Sequence, residues 1–436
     1  MNTISRRHFL KLMGATTALA ATPPILKAQA VPPRVVVVGG GFAGATVAKY
    51  LHRWGGAGVS ITLVEINPTH VSCILSNLVL NGSLGLSTIT FGYNTLQQNG
   101  INVIQDQAVG IDNGNRKLQL PGGKILNYDL IVLAPGIDFD PIPGLDFNKI
   151  PHAWKAGPQT TLLQQQLAAM PAGGTFVQTI PPKPYRCPPG PYERVCVVAN
   201  YLKRNKPRSK VIVLDANPID PNFPQNPYSA IVAEQATFTK AFSRTYANIV
   251  EYHPGVVLQQ VDSQNKIAMT DHGNFKANVL NVIPPQRAGG IVESAGLTHG
   301  GRWALVDPLS YESTLPGQSG IHIIGDAQGT GQPKSGHIAN AEAKVCADAI
   351  LRLFAGEKPD PNPMTNSACF SPITAKTASW LTAVFAYDPN TLDPTTGKMG
   401  VMKVVPESSG EAPSATRENY QRMFTWANNL FADTFA

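Results

Sequence analysis

Several things are scarce in this chain of 436 residues, and each scarcity excludes something. Cysteine occurs five times, at positions 73, 187, 196, 346 and 369, and none of them opens a C-x-x-C-H run, so the chain does not itself attach a c-type haem. The count is odd, which in an oxidising compartment leaves at least one thiol free, buried or modified. Past the first thirty residues no apolar run approaches the roughly 20 residues of a bilayer span, so no integral membrane segment is expected in the mature chain. Excess charge is also small. Lys and Arg number 35 against 28 Asp and Glu, a net +7, and four of those cations (Arg6, Arg7, Lys11 and Lys27) lie in an acid-free N-terminus, leaving +3 for the rest. A near-neutral body argues against nucleic acid as a partner. The length itself exceeds one core and implies two or three domains.

What is present begins with Ser5-Arg6-Arg7-His8-Phe9-Leu10-Lys11, the S-R-R-x-F-L-K pattern of a twin-arginine export signal. The apolar stretch that follows, Leu12 to Ala21, is too short to cross a membrane, and Ala28-Gln29-Ala30 fits an A-x-A cleavage site. Residues 1–30 therefore read as a signal peptide and the periplasm as the destination, against the alternative of an anchored N-terminal helix.

The body is organised around Arg34 to Gly44, RVVVVGGGFAG. Four valines predict a strand covered on both faces, and Gly39, Gly41 and Gly44 supply G-x-G-x-x-G at the mouth of a helix beginning near Ala45. The chemistry of that motif is a diphosphate facing a helix N-terminus. Glu65 ends the next strand where an acid would hydrogen-bond an unphosphorylated adenosine ribose. Far downstream, Gly320 to Ala327 predicts a strand ending Gly325-Asp326, an acid placed to accept from a ribityl hydroxyl, followed by a helix from Ala339 to Phe354. The two signatures together indicate FAD.

Between them a second unit of the same kind lacks its ligand loop. The strand Thr175 to Ile180 should be followed by glycines, but the chain reads Pro-Pro-Lys-Pro-Tyr-Arg-Cys-Pro-Pro-Gly-Pro-Tyr-Glu193, whose prolines remove the N–H donors a diphosphate needs. NAD(P)H is therefore not the expected electron donor. A helix from Arg194 to Leu202 and a strand from Lys210 to Asp215 follow, with Asp215 read as a strand-end acid. The tail predicts a strand from Ala378 to Tyr387 and a helix from Ala415 to Phe435 striped by Tyr420, Met423, Phe424, Ala427, Leu430, Phe431 and Phe435. Packing on the chain's own core is favoured over a membrane surface, because the other face carries Glu418, Asn428, Asn429 and Asp433 rather than a cationic row.

Taken with Cys73-x-Leu-Ser-Asn, Arg186 to Arg194, Ile324 to Ala327, Cys369 and the tail Trp426 to Phe435, the chain from Arg34 onward resembles the flavoprotein subunit of flavocytochrome c sulfide dehydrogenase. The resemblance implies an α/β fold of two dinucleotide-binding, glutathione-reductase-like Rossmann-type domains plus a C-terminal α+β flavin and dimer-interface domain. The expected boundaries are 31–155 and 285–355 for the FAD domain, 156–284 for the degenerate NAD-type domain and 356–436 for the C-terminal one.

It also implies site residues. Cys73 would bond covalently to FAD, its alternative being a small buried thiol. Cys187 and Cys369 would form a redox-active disulfide beside the flavin, its alternative being a structural bridge. Glu193 would manage substrate protons or else simply sit as a first-turn helix acid, and Trp426 would lie near the flavin or merely pack. His337 stands where the family has a tyrosine, exchanging a phenol for a ring that titrates near neutrality. Cys196 and Cys346 are expected to be buried and reduced, and no residue is assigned to a metal. The implied activity is periplasmic oxidation of sulfide to sulfur or polysulfide, with electrons leaving for haem c on a separate cytochrome c subunit. Sulfide:quinone oxidation and a non-catalytic flavin electron carrier are the alternatives.

Overall fold

Val35 to Val37 have at most 2% of their surface exposed and Val38 only 7%, as four β-branched residues should when both faces of a strand are covered. The computed structural model that places them describes residues 31–436 apart from 395 and 396, so the expected signal peptide lies outside the described residues. In chain order the principal elements are β1 (Arg34–Val38), α1 (Phe42–Gly55), β2 (Ser60–Glu65), β3 (Asn102–Gln105) and β4 (Leu130–Leu133). Next come α2 (Pro158–Ala169), β5 (Thr175–Ile180), α3 (Gly190–Asn205), β6 (Lys210–Asp215), β7 (Val250–Pro254) and β8 (Val279–Val282). The chain finishes with β9 (Ile321–Ile323), α4 (Gly336–Phe354), β10 (Met364–Pro372), β11 (Ala378–Leu392), β12 (Met399–Val404) and α5 (Arg417–Phe435).

These elements make two parallel sheets and one antiparallel one. The first runs β9-β4-β1-β2-β3 with every pair parallel, so the strand order reverses at β1, the switch point where such sheets bind ligands beyond their carboxyl ends. The second runs β7-β6-β5-β8, also all parallel. The third, β10-β11-β12, is antiparallel, with the short strand Gly410–Glu411 paired to β11. The fold class is the expected one. From the pairing of β9 with β4 we propose that residues 285–355 rejoin 31–155 in one unit, with further boundaries near 284 and 355.

Helices α1, α3 and α4 start earlier than expected and α5 two residues later, and two of these shifts have a local reason. Helix α1 begins at Phe42, because the N–H of Ala45 already bonds to the Gly41 carbonyl at 2.9 Å. Helix α3 begins at Gly190, its N-cap being Pro189; proline's fixed φ suits a first turn, where its missing N–H is not needed. The proline run thus starts a helix where a nucleotide domain would have glycines.

The stripe on α5 packs as expected: Met423, Ala427, Leu430, Phe431 and Phe435 are buried, and the last four join the core of the first sheet. Thr416 caps its start by accepting from the Asn419 N–H at 3.0 Å. At its end Lys49 of α1 donates to the carbonyls of Ala432 (3.0 Å) and Asp433 (2.9 Å), placing a cation where helix carbonyls are unsatisfied. Phe435 stacks on Phe91 with centroids 4.8 Å apart and on His70 at 5.2 Å. Among the described residues no helix is long and apolar enough to cross a membrane.

A methyl group at Gly44 would collide with the Gly39 carbonyl oxygen, so α1 rides directly on the turn after β1. Gly44→Ala should therefore cost about 1–3 kcal/mol, the usual range for overpacking, and lower bound flavin in step; thermal unfolding together with the flavin-to-protein absorbance ratio checks both.

Candidate functional site

At the carboxyl ends of β1, β4 and β9 lies a cleft of about 700 Å³, within the size range of cofactor pockets. Its floor is the glycine turn. Gly39 sits at φ 97°, and a side chain there would strike the Ala134 carbonyl, so both conformation and space demand glycine. Gly41 is the N-cap of α1 and faces the cleft, its nearest neighbour being the His70 ring. Glu65 reaches back to the turn: Oε2 accepts from the Gly40 N–H at 2.6 Å, and Oε1 accepts from the Asn67 N–H at 2.8 Å.

Across the cleft, Asp326 follows β9. Its turn is fixed by Glu342 of α4, which accepts from the Gly325 N–H at 2.8 Å. Asp326 Oδ2 lies 3.7 Å from Arg186, whereas Oδ1 is buried with no partner in the structure. Burial raises this carboxyl's pKa against the opposing pull of Arg186 and Lys334. An unpaired buried acceptor costs about 1–3 kcal/mol, so an oxygen left open on a cleft wall is a place for a ligand's donor. The residues present fit FAD: a helix N-terminus and glycine turn for the diphosphate, Glu65 for the ribose, and Asp326 for a ribityl hydroxyl.

A second, smaller chamber of about 70 Å³ shares Cys73, Ile74, Arg186 and Gly336 with that cleft. Cys187, Cys369, Glu193, His337 and Trp426 all line it, so every residue expected around the disulfide meets here. Cys187 adopts φ 57°, a left-handed conformation costly for a residue with a side chain, and is held there by its N–H bond to the Lys334 carbonyl at 2.7 Å. Cys369 comes from β10 and Cys73 from the loop before Asn77, with Cys73 Sγ 3.3 Å from the Trp154 carbonyl. All five cysteines are free thiols in this structure. Burial pushes the Cys187 thiol well up, as do Cys369 and Glu193, with Arg186 opposing; Cys369 is pushed up to about 12 by burial, Glu234 and Glu193.

Glu193 occupies the first turn of α3, yet its carboxylate does not cap that helix. Oε1 instead accepts from Asn77 Nδ2 at 2.9 Å, and Asn77 Oδ1 accepts from Arg194 Nε at 2.9 Å. Burial raises the Glu193 pKa to about 8, only partly offset by Asn77 and Arg194. Trp426 packs on Phe370 with centroids 5.5 Å apart and lines the chamber.

His337 corrects the expectation of a ring that titrates near neutrality. Its Nδ1 accepts from the Ala368 N–H at 2.9 Å and from Trp426 Nε1 at 3.3 Å. Burial lowers the ring's pKa, and two donors aimed at Nδ1 leave no room for a proton on that nitrogen, which favours the neutral ring. Asp215 is buried and accepts from Tyr192 Oη at 2.8 Å and Tyr252 Oη at 2.7 Å, so protein hydroxyls occupy its carboxylate.

Three further residues were not singled out from the sequence. Asn77 and Arg194 lay inside quoted motifs, but nothing in their spacing indicated that they would meet. Glu234 lies on a loop with no motif of its own.

The fold and cleft together define an FAD-dependent oxidoreductase of the pyridine nucleotide-disulphide oxidoreductase class, whose family profile matches residues 33–168. A second profile, "sulfide dehydrogenase [flavocytochrome c] flavoprotein chain, central", matches 160–284, and a twin-arginine signal profile matches 3–23, so the chain carries a signal for export to the periplasm. The chain is 54% identical over 46 residues to the flavoprotein chain of the flavocytochrome c sulfide dehydrogenase of Chlorobaculum thiosulfatiphilum, covering 94% of that sequence and 11% of this one. It is 21% identical over 332 residues to the mitochondrial sulfide:quinone oxidoreductase of Mus musculus, 74% of this chain and 72% of that one. In fold it is similar to the sulfide:quinone oxidoreductase of Aquifex aeolicus, with TM-score 0.73 and 18% identity over 93% of this chain and 92% of that one. This chain belongs to the flavocytochrome c sulfide dehydrogenase flavoprotein family, the sulfide-oxidising flavoproteins.

The raised pKa of Glu193 carries a stability consequence. Its contribution is fully present below the ordinary carboxyl value of 4.5 and is lost as pH rises through about 8, because the folded state then surrenders a proton it holds more tightly than the unfolded chain does. Melting temperatures measured across that interval should decline with pH, and Glu193→Gln should flatten the decline; an unchanged slope would show the carboxyl to be ionised in the folded protein.

Proposed function

We propose that this protein oxidises sulfide in the periplasm at a Cys187–Cys369 disulfide and passes the electrons through FAD to haem on a cytochrome c subunit. The observation that carries this reading is the shared wall: both cysteines and Glu193 line one small chamber that has Cys73, Ile74, Arg186 and Gly336 in common with the FAD cleft.

Hydrosulfide entering the chamber attacks one sulfur of the oxidised pair. The disulfide bond breaks, a bond forms between that sulfur and the substrate sulfur, and the displaced sulfur leaves as a thiolate. Arg186, whose charge acts on Cys187, favours a thiolate there. Glu193, with its pKa near 8 and held by Asn77, takes the first proton of hydrogen sulfide close to neutrality and so delivers hydrosulfide to the pair. Trp154, Phe370, Met423 and Trp426 surround the chamber with apolar surface and exclude water from the reactive sulfurs. FAD, when bound, accepts two electrons and returns them singly. His337, kept neutral, holds Trp426 and the Ala368 strand in place instead of moving a proton.

Cys73, standing between the two spaces, is the residue we assign to covalent attachment of FAD. The haem is assigned to a partner because this sequence has no C-x-x-C-H. Transfer to a quinone is the second reading, favoured by the quinone-oxidoreductase relatives. Against it, the apolar stripe of α5 is consumed by packing and is not offered to a membrane.

Anaerobic sulfide should bleach the oxidised flavin of the purified protein, and soluble cytochrome c should restore the absorbance while a short-chain quinone does not. Cys187→Ser should abolish the bleaching with FAD fully retained. No bleaching of the loaded wild-type protein would leave a flavin electron carrier as the reading, and restoration by quinone alone would move the electron acceptor to the membrane.

Covalent attachment is checked by denaturing gel: flavin fluorescence should travel with the wild-type chain and not with Cys73→Ala.

A further inference from the structure

A second carboxyl, Glu234, lies within electrostatic reach of Cys369 and is not used by the reaction above. Glu234 precedes the short helix Gln235–Lys240 at φ 49° and ψ 41°, a left-handed conformation that residues with side chains adopt when their surroundings impose it. Its side chain has no exposed surface. Ser371, two residues beyond Cys369 and on the same face of β10, donates its hydroxyl to Oε2, while Oε1 is buried with no hydrogen-bond partner. The ionisable groups in electrostatic reach are Glu193 and Cys196 of α3, Cys369 of β10 and Glu411 of the strand Gly410–Glu411.

From this carboxyl further polar groups continue toward the exposed Glu411. Ser371 pairs across the sheet with Ser379 of β11, whose hydroxyl is 3.3 Å from that of Thr237. The Glu234 N–H itself donates at 3.0 Å to the carboxylate of Glu411, an exposed residue.

We propose that Glu234 is a proton-relay carboxyl, taking the proton released at Cys369 during sulfide oxidation and delivering it to solvent past Ser379, Thr237 and Glu411. The inference rests on the reading of Cys187 and Cys369 as the sulfide-oxidising pair. When hydrosulfide attacks, the disulfide bond breaks, one sulfur–sulfur bond forms to the substrate, and the displaced sulfur keeps the electron pair as a thiolate. The persulfide retains the substrate's S–H proton, and that proton is all Glu234 receives; it passes to water when Glu234 ionises again. Burial holds the Glu234 pKa at about 7, so both acceptance and release are available near neutrality.

The test compares wild type, Glu234→Gln and Glu234→Asp by anaerobic stopped-flow bleaching with sulfide across pH. The wild-type rate should fall as pH drops through about 7, where the relay carboxyl becomes protonated. Glu234→Gln should be slower by on the order of 100-fold and lose that limb, and Glu234→Asp should recover it. A second readout needs no turnover: in the reduced protein, iodoacetamide alkylation of Cys369 should shift to lower pH in Glu234→Gln, because a carboxylate that raises this thiol's pKa is gone. Wild-type rate and profile in Glu234→Gln, with alkylation unshifted, would overturn the relay alone. A wild-type protein that sulfide fails to bleach would sink the sulfide-oxidation reading, and the relay with it. Should Glu234→Gln not fold, Ser379→Ala with Thr237→Val interrupts the outward path; unchanged bleaching there is also fatal.

Discussion

The site depends on one buried cation. Arg194 is 2% exposed and all three nitrogens of its guanidinium donate: Nε to Asn77 Oδ1 (2.9 Å), Nη1 to the His152 carbonyl (2.9 Å) and Asn281 Oδ1 (3.0 Å), and Nη2 to the Ala153 carbonyl (2.6 Å). The planar group also lies 5.0 Å from the Trp154 ring. These partners come from three parts of the chain, the segment from Cys73 to Asn77, the segment leaving the first sheet and β8 of the second sheet, and Arg194 ties all three to α3. A charge this deep is tolerable only with its donors satisfied, so Arg194 fixes how those parts meet. Asn77, held by Arg194 on one side, holds Glu193 on the other.

That arrangement sets the electrostatics of the small chamber. Glu193, Cys187 and Cys369 are removed from water together, and Glu193 further disfavours ionisation of both thiols, so carboxyl and thiols alike are driven toward their neutral forms. Reduced thiols with such high pKa values are poor nucleophiles at neutral pH, which suits a pair that is to be attacked from outside rather than to attack. The surroundings of the two thiols differ: at Cys187 the cation Arg186 opposes burial, Cys369 and Glu193, while Cys369 has two carboxyls, Glu234 and Glu193, acting on it. The pair is therefore asymmetric before any substrate arrives.

The first sheet and its ligand were legible in the sequence because their demands are local. A glycine at φ 97° under a neighbouring carbonyl, or an acid at a strand end, leaves a mark at a fixed spacing, and Gly39, Gly41, Gly44, Glu65 and Asp326 all line or build the cleft. The chamber was legible only through resemblance, since Cys73, Cys187 and Cys369 meet by tertiary closure over long chain separations that no periodicity encodes. The role of His337 was misjudged because a histidine's titration is decided by what its ring nitrogens face, and both donors to Nδ1, Ala368 and Trp426, come from remote elements. Arg194 and Asn77 were invisible for the same reason: an arginine beside a glutamate at a helix start reads as surface charge, and only packing shows it to be buried.

The last turn of α5 gives the fold an order in time. Phe431 and Phe435 fill the core of the first sheet, Phe435 stacks on His70, which lines the FAD cleft, and Lys49 binds the carbonyls at the end of the helix. The cleft that opens at residue 39 is thus not closed until residue 435 has been made and docked. A cofactor pocket completed only by so late a segment cannot be assembled while the chain is threaded unfolded across a membrane. The twin-arginine signal at residues 3–23 belongs to a pathway that moves proteins already folded, so the export route and the position of α5 answer the same constraint.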